Sequence, residues 1–299
     1  MVYYHYFTFG LEIQSELELP ELLQSSNLGS IDLSISIGKT PANLPNYQKK
    51  GIAFEIAPNE FLLDLKDIAR FYVTNGNSIV IEPKTEDMRD IRLFLLGSCF
   101  GTILHQRKIL AMHASAIAHE GKAVLFTGHS GIGKSTTANA FRLKGYKMLT
   151  DDVCPVVFKN NQPFALPGYP QSKLWEDTLE KLELDFKHFK YIREGINKRA
   201  IPIRDEFITK ALPIKGLYIL QSHNKDELKL LDIKDADRFR AIKSMTYRNH
   251  LLKGLGIQPY HFINSSQLAN SIRIKWIVRP QTFCLPEVIE LITNDLKSY

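Results

Sequence analysis

AVLFTGHSGIGKSTTANAFRLKG, residues 123–145, begins as a fully apolar strand, passes through a glycine-rich turn and ends as helix-forming sequence closed by Gly145. Gly128, Gly133, Lys134 and Ser135 satisfy the phosphate-loop pattern G-x-x-x-x-G-K-[ST]. Each residue type has a physical reason to be there. Glycines let successive backbone N–H groups turn inward on a phosphate without Cβ clashes. The helix N-terminus adds its partial positive charge. Lys134 is expected to neutralise the β- and γ-phosphates, and the Ser135 hydroxyl to ligate Mg2+. The expected cradle is Gly128, His129, Ser130, Gly131, Ile132, Gly133, Lys134, Ser135 and Thr136. Its ligand is the triphosphate of ATP or GTP, with Mg2+.

The sequence on either side extends this unit. Upstream, LAMHASAIAHEGKAVLFTG (110–128) reads as a hairpin, with Glu120-Gly121 as a two-residue turn between His119 and Lys122. Continuing that register sets His113 opposite Gly128, beside the loop. An isolated histidine in an apolar strand also has a second explanation, a hydrogen-bonded core residue. Downstream, GYKMLTDDVCPVV (145–157) holds a short strand, expected to run parallel to the first after a right-handed crossover. Asp151 and Asp152 then lie at its carboxyl end, where ligands of such sheets bind. Two adjacent carboxylates can divide the work, one holding Mg2+ and one accepting a proton from an attacking hydroxyl. Neighbouring residues of a regular strand face opposite ways, so the strand must bend or end for both to reach one site. An Asp-Asp turn without chemistry is the alternative.

Away from this core the chain divides near Pro83. Residues 1–84 read as a small β-rich domain, with strands in VYYHYFTFG, IDLSISI, IAFEI, FYVTNG and SIVIEP. Residues 85–299 form the phosphate-loop domain, starting with a helix on which Met88, Ile91, Leu95, Cys99, Ile103 and Leu104 keep helical spacing. DFKHFKYIREGINKR (185–199) reads as an amphipathic helix with one wet face, or as a lid or peptide groove. LPIKGLYILQS (212–222) reads as a sheet strand, Trp175 and Trp276 as core, and the C-terminal segment as a helix carrying Ile289, Leu291, Ile292 and Leu296.

Composition bounds the function. The chain has 299 residues, 44% hydrophobic and 23% charged, enough for a sizeable core. Its net charge of +6 suits an anionic small molecule or an acidic peptide and argues against nucleic acid as partner. No apolar run is long enough to span a bilayer, so no membrane partner is expected. MVYYHYFTFG lacks the features of a signal peptide. The three cysteines form no C-x-x-C pair, which favours a reducing cytoplasm over a disulfide or zinc framework.

Together, His113 upstream of Gly128, FTGHSGIGKSTTANAF and GYKMLTDD resemble the catalytic domain of HPr serine kinase/phosphorylase and its relatives, over about residues 90–160. The resemblance implies an α/β fold with a P-loop kinase core of the HPr kinase C-terminal (PEP carboxykinase-like) type, a mixed sheet with flanking helices. It implies an ATP- and Mg2+-dependent serine kinase. Asp151 would be the base toward the hydroxyl, Asp152 the Mg2+ partner, and His113 a member of the same pocket. Two departures count against the phosphorylase reaction and against HPr as substrate. His129 stands where the bifunctional enzymes carry Asp, and LPGYPQSKLWED (166–177) replaces a Glu/Arg/Gly-rich signature. That segment, with YYHYFTFGLEIQSELELPEL (3–22), is similar to the HPr-kinase-like tailoring kinases of lasso-peptide clusters, which phosphorylate a serine of a precursor peptide. By that likeness Lys173 and Arg199 face phosphate or substrate; solvated surface charge is the alternative. The implied partner is a serine-bearing peptide or small protein, with homo-oligomer formation left open. A nucleotide-switched binding module, an HPr-type kinase/phosphorylase and transfer to a small molecule remain as competing readings. A switch needs a water-positioning residue and mobile segments, whereas Asp151 favours a kinase.

Overall fold

Strand alternation and turn chemistry build the first of two compact units, Met1–Ala111 with Tyr191–Ile196 and Tyr247–Asn264. The structure is a computed structural model that describes residues 2–26, 29–282 and 284–298. In this unit β1 (Tyr4–Thr8) turns through Phe9 and Gly10, both at positive φ, into β2 (Leu11–Ser15). Leu11, Ile13 and Ser15 point inward and Glu12 and Gln14 outward, the period of two expected of a half-buried strand. The remaining strands are β3 (Leu23–Gln24), β4 (Leu33–Ile37), β5 (Lys49–Lys50), β6 (Phe54–Ala57), β7 (Glu60–Leu65), β8 (Ala69–Thr74) and β9 (Ser78–Pro83). Among the described residues they form one mixed sheet in the order β3-β1-β2-β4-β9-β8-β7-β6-β5, parallel across β2-β4-β9 and antiparallel elsewhere.

The helix read from Met88 onward is present with an interruption. α1 (Met88–Phe94) is capped by the Asp87 side chain, which accepts from the Arg89 N–H. A π-helical turn at Leu95–Cys99 follows, and α2 (Phe100–Gln106) completes the run. Gly101 lies against Tyr247, whose ring atoms would stand 2.6 Å from a Cβ at that position. These helices fall in the first unit, so the units divide at Ala111, within β10 (Leu110–Met112), where the sequence had suggested Pro83.

The second unit comprises Met112–Lys190, Asn197–Thr246 and Ser265–Tyr299. Its strands are β11 (Ala114–His119), β12 (Lys122–Gly128), β13 (Met148–Thr150), β14 (Cys154–Lys159), β15 (Gln162–Ala165), β16 (Gln171–Trp175), β17 (Lys198–Pro202), β18 (Leu212–His223), β19 (Lys229–Asp232) and β20 (Arg273–Pro280). The sheet runs β14-β15-β18-β12-β11-β13, with β20 parallel to β18 and β19 antiparallel to β20. Strands β12, β18 and β20 are mutually parallel and deliver their carboxyl ends to one edge. Helix α3 (Lys134–Leu143) packs Phe141 on Phe126 with ring centroids 5.5 Å apart. The other helices are α4 (Glu176–Lys181), α5 (Asp235–Ser244) and α7 (Leu285–Lys297), while α6 (Gln258–Ser271) begins in the first unit and ends in the second. α7 buries Val288, Ile289, Ile292 and Leu296, at helical spacing.

Two expectations change and one is refined. β13 runs parallel to β12 as expected but does not pair with it directly. β11 lies between them, antiparallel to both, which leaves β12 and β13 parallel at one remove. Residues 185–197 form turns and irregular backbone rather than a helix, with positive φ at Gly195. Trp175 is not core, being 47% exposed. Among the described residues no helix is long and apolar enough to cross a membrane.

Candidate functional site

The β11–β12 hairpin fixes the first two parts of the site. Its register pairs Ala114 with Thr127 and His119 with Lys122, closed by Glu120 and Gly121 at positive φ, the geometry of a tight two-residue hairpin. His113 therefore precedes β11 at the level of Gly128, and its carbonyl accepts from the Thr127 hydroxyl at 2.7 Å. The glycine-rich loop leaves β12 at Gly128 (φ 145°). A Cβ there would stand 2.6 Å from the Leu220 carbonyl oxygen of β18, so a side chain would break the sheet. The loop ends at Gly133, the left-handed N-cap of α3. Lys134 is buried, 6% exposed, and donates to the loop's own carbonyls at Gly128 (3.0 Å) and His129 (3.2 Å). Burial pulls its pKa below the ordinary lysine value, against the raising effect of Asp152 and Asp151.

The two aspartates that end β13 have different surroundings. Asp151 is 7% exposed, and each of its oxygens receives two donors. Oδ1 accepts from the hydroxyls of Ser115 (2.6 Å) and Ser135 (2.8 Å). Oδ2 accepts from the Ser172 hydroxyl (2.7 Å) and the Lys173 backbone N–H (3.0 Å). The chain then turns at Asp152, which has a left-handed φ of 74°, so the strand ends and the second side chain leaves in a new direction. Asp152 reaches the His113 Nε2 at 3.2 Å and is about one-third exposed. Its burial raises its pKa, but the His113 hydrogen bond and the charges of Lys173, His113 and Lys198 outweigh that, holding the carboxyl well below the usual range.

A cleft of about 560 Å3 is lined by His113, Ser130, Gly131 and Gly133 to Thr136 of the loop and helix start, Asp152, Lys173, Trp175 and Lys198, among others. Lys173, which the sequence singled out, lines it; Arg199 does not. The Arg199 guanidinium donates to Glu176 Oε1 and to the Phe189 carbonyl, each at 2.7 Å. Its neighbour Lys198 takes the place in the cleft instead. A second, smaller cavity of about 180 Å3 shares Gly131, Gly133 and Thr136 with the first and continues past Ile132, Leu220, Arg279 and Val288. It lies at the carboxyl ends of β18 and β20, and Arg279 donates to the Ile132 carbonyl at 3.0 Å.

Sequence reasoning missed Ser115, Ser172 and Lys198. Ser115 had a signal: it is a polar residue in an apolar strand, two positions from His113 and hence on the same face. Among the described residues no group of three or more His, Cys, Asp or Glu side chains could hold a metal alone. The Ser135 hydroxyl, its proton held by Asp151 Oδ1, nonetheless keeps oxygen lone pairs that can ligate a hard cation such as Mg2+.

No protein-family model and no curated protein matches the chain. Among solved structures, the HPr(Ser) kinase/phosphatase from Coxiella burnetii matches at 16% identity with a TM-score of 0.34, covering 62% of this chain and 95% of that one. At that identity and TM-score the likeness does not extend to activity.

Proposed function

We propose that this chain is an ATP- and Mg2+-dependent phosphotransferase acting on a hydroxyl, the acceptor being a serine of a peptide or small protein. One observation carries the reading. A phosphate loop with its lysine, a hydroxyl hydrogen-bonded to a buried carboxylate, and a second carboxylate paired with a histidine surround one cleft. Lys134 and the loop N–H groups hold the β- and γ-phosphates. Ser135, its proton held by Asp151, ligates the cation; Mg2+, when bound, neutralises charge on the phosphate oxygens and fixes their orientation. The nucleoside occupies the smaller cavity past Ile132 and Val288.

Asp152, rather than Asp151, is the base in this reading. Asp151 already accepts four hydrogen bonds, whereas Asp152 opens onto the cleft. The acceptor oxygen bonds to the γ-phosphorus as the bond from that phosphorus to the β,γ-bridging oxygen breaks. The electron pair leaves with ADP, and the hydroxyl proton passes to Asp152. His113 orients that carboxylate, and Lys173 helps to keep it ionised. The peptide nature of the acceptor rests on the likeness of residues 3–22 and 166–177 to the lasso-peptide tailoring kinases.

Calorimetric titration with ATP·Mg2+ tests the donor half. The wild type is expected to bind, and Lys134→Ala to weaken binding by about a hundredfold or more, as removal of a charged contact to a buried anion does. Equal affinity in the two proteins refutes the loop assignment. A pool of serine-containing peptides with γ-labelled ATP tests the acceptor half: label on peptide supports it, and label released only as phosphate contradicts it.

A further inference from the structure

β16 and β17 pair into a two-stranded ribbon that belongs to neither large sheet. Its register sets Trp175 opposite Lys198 and Lys173 opposite Ala200. Cross-strand partners share a face and alternate residues do too, so Lys173, Trp175 and Lys198 stand on one side and Leu174 and Arg199 on the other. The first three line the cleft; of the other two, Leu174 also borders it, and Arg199 is neutralised by Glu176. The Lys198 ammonium lies 5.7 Å from the centroid of the Trp175 indole, within cation–π range. Among the described residues no carboxylate forms an ion pair with it.

Resting on the phosphotransferase reading above, we propose that Lys198 is a catalytic cation that contacts the transferring phosphoryl group from the ribbon. In phosphoryl transfer, negative charge spreads over the three equatorial oxygens, and stabilising it is most of what the protein contributes. Lys134 approaches from the loop. The ribbon forms another part of the cleft wall, and each of its cations has a different setting. Arg199 is spent on Glu176, and Lys173 lies beside Asp152 and over the Tyr169 ring at 5.8 Å. Lys198 is held by an indole face, which orients an ammonium without neutralising it. Lys198 gives up no proton; the bond changes are those already described.

The test needs no acceptor. ADP·Mg2+ with aluminium fluoride presents a planar mimic of the phosphoryl group in flight, and its binding is compared by calorimetry with that of ADP·Mg2+ alone. In the wild type the fluoride complex is expected to bind more tightly. Lys198→Met is expected to lose at least about tenfold of that tightening, with ADP·Mg2+ affinity within about threefold of wild type. Lys198→Arg, which keeps the charge, is expected to retain most of it, and melting temperature on the same samples reports folding. Full tightening in Lys198→Met, or none in Lys198→Arg, overturns the proposal for Lys198 alone. A wild type that binds ADP·Mg2+ but gains nothing from the fluoride overturns the phosphotransferase reading itself, as does one that binds no ADP.

Discussion

The two aspartates separate structure from chemistry, and substituting each by asparagine should expose the difference. In Asp151→Asn the new NH2 group must face one of two donor pairs. The Oδ2 side includes the Lys173 backbone N–H, a donor that cannot turn away, so the nitrogen goes to the Oδ1 side. There the Ser115 and Ser135 hydroxyls can rotate and accept. All four contacts survive, without charge assistance. A hydrogen bond to a charged group contributes about 1.5–3 kcal/mol and a neutral one about 0.5–1.5, a loss of about 1 kcal/mol per contact. Removing a buried charge offsets part of this, leaving a net destabilisation of about 1–3 kcal/mol. For a domain of 150–250 residues each kcal/mol is about 2–4 °C, so a loss of about 2 kcal/mol lowers Tm by roughly 4–8 °C. Asp152→Asn acts otherwise. Asparagine tolerates the left-handed backbone at this position. The pair with His113 is about one-third exposed and contributes no more than about 1 kcal/mol. Its Tm should stay within about 4 °C of wild type. Both variants should lose phosphoryl transfer, but only Asp151→Asn should weaken the Mg2+ dependence of nucleotide binding. Calorimetric unfolding and titration with and without Mg2+ measure both. An Asp152→Asn protein that melts below Asp151→Asn, or an Asp151→Asn protein with unchanged Tm and Mg2+ dependence, refutes the division of labour.

Two further outcomes are expected. His113→Ala should lower kcat for phosphoryl transfer with little change in ATP affinity and a stability loss within about 1 kcal/mol, since its side chain is 29% exposed; a strongly destabilised, fully active variant would make it a packing residue. In the first unit, burial holds the His105 pKa down at about 4, against the hydrogen bond of its Nε2 to the Tyr247 carbonyl. The unfolded chain therefore takes up the proton first, so this contribution is complete above about pH 6.5, declines as pH falls toward about 4 and is then level. Between pH 7 and 5 the wild type should lose about 2 kcal/mol more than His105→Gln, measured by urea unfolding, and parallel losses would exclude the mechanism.

What could be read from the sequence was governed by how local the determining contacts are. The hairpin register follows from Glu120-Gly121 alone, and it carries His113 to the level of Gly128 without any distant information. The bend that separates Asp151 from Asp152 was required by strand geometry, and the left-handed φ at Asp152 supplies it. Longer-range pairing was not legible. Trp175 and Lys198 meet across an irregular segment, and with no register the alternation of KRAIP cannot say whether Lys198 or Arg199 faces inward. Trp175 looked like core because of its size, yet its face of the ribbon borders the cleft. β7 was missed because Phe61, Leu62 and Leu63 form a short apolar run without β-branched residues, which favours no period. The order of β11 and β13 was hidden for a related reason: a crossover specifies direction, not which strand intervenes.

The ribbon that carries Trp175 and Lys198 is joined to the phosphate machinery by few bonds. The Asp151 carboxylate grips Ser172 and the Lys173 backbone, and Asn139 of α3 donates to the same serine. Side chains further along the cleft-facing side take no part in that joint. Inherited variation at outer ribbon positions other than Lys198 can therefore accumulate while the bonds of Ser172 and Lys173 to Asp151 stay in place. On the phosphotransferase reading proposed above, duplicated copies of such a gene would diverge first in the acceptor and last in the nucleotide.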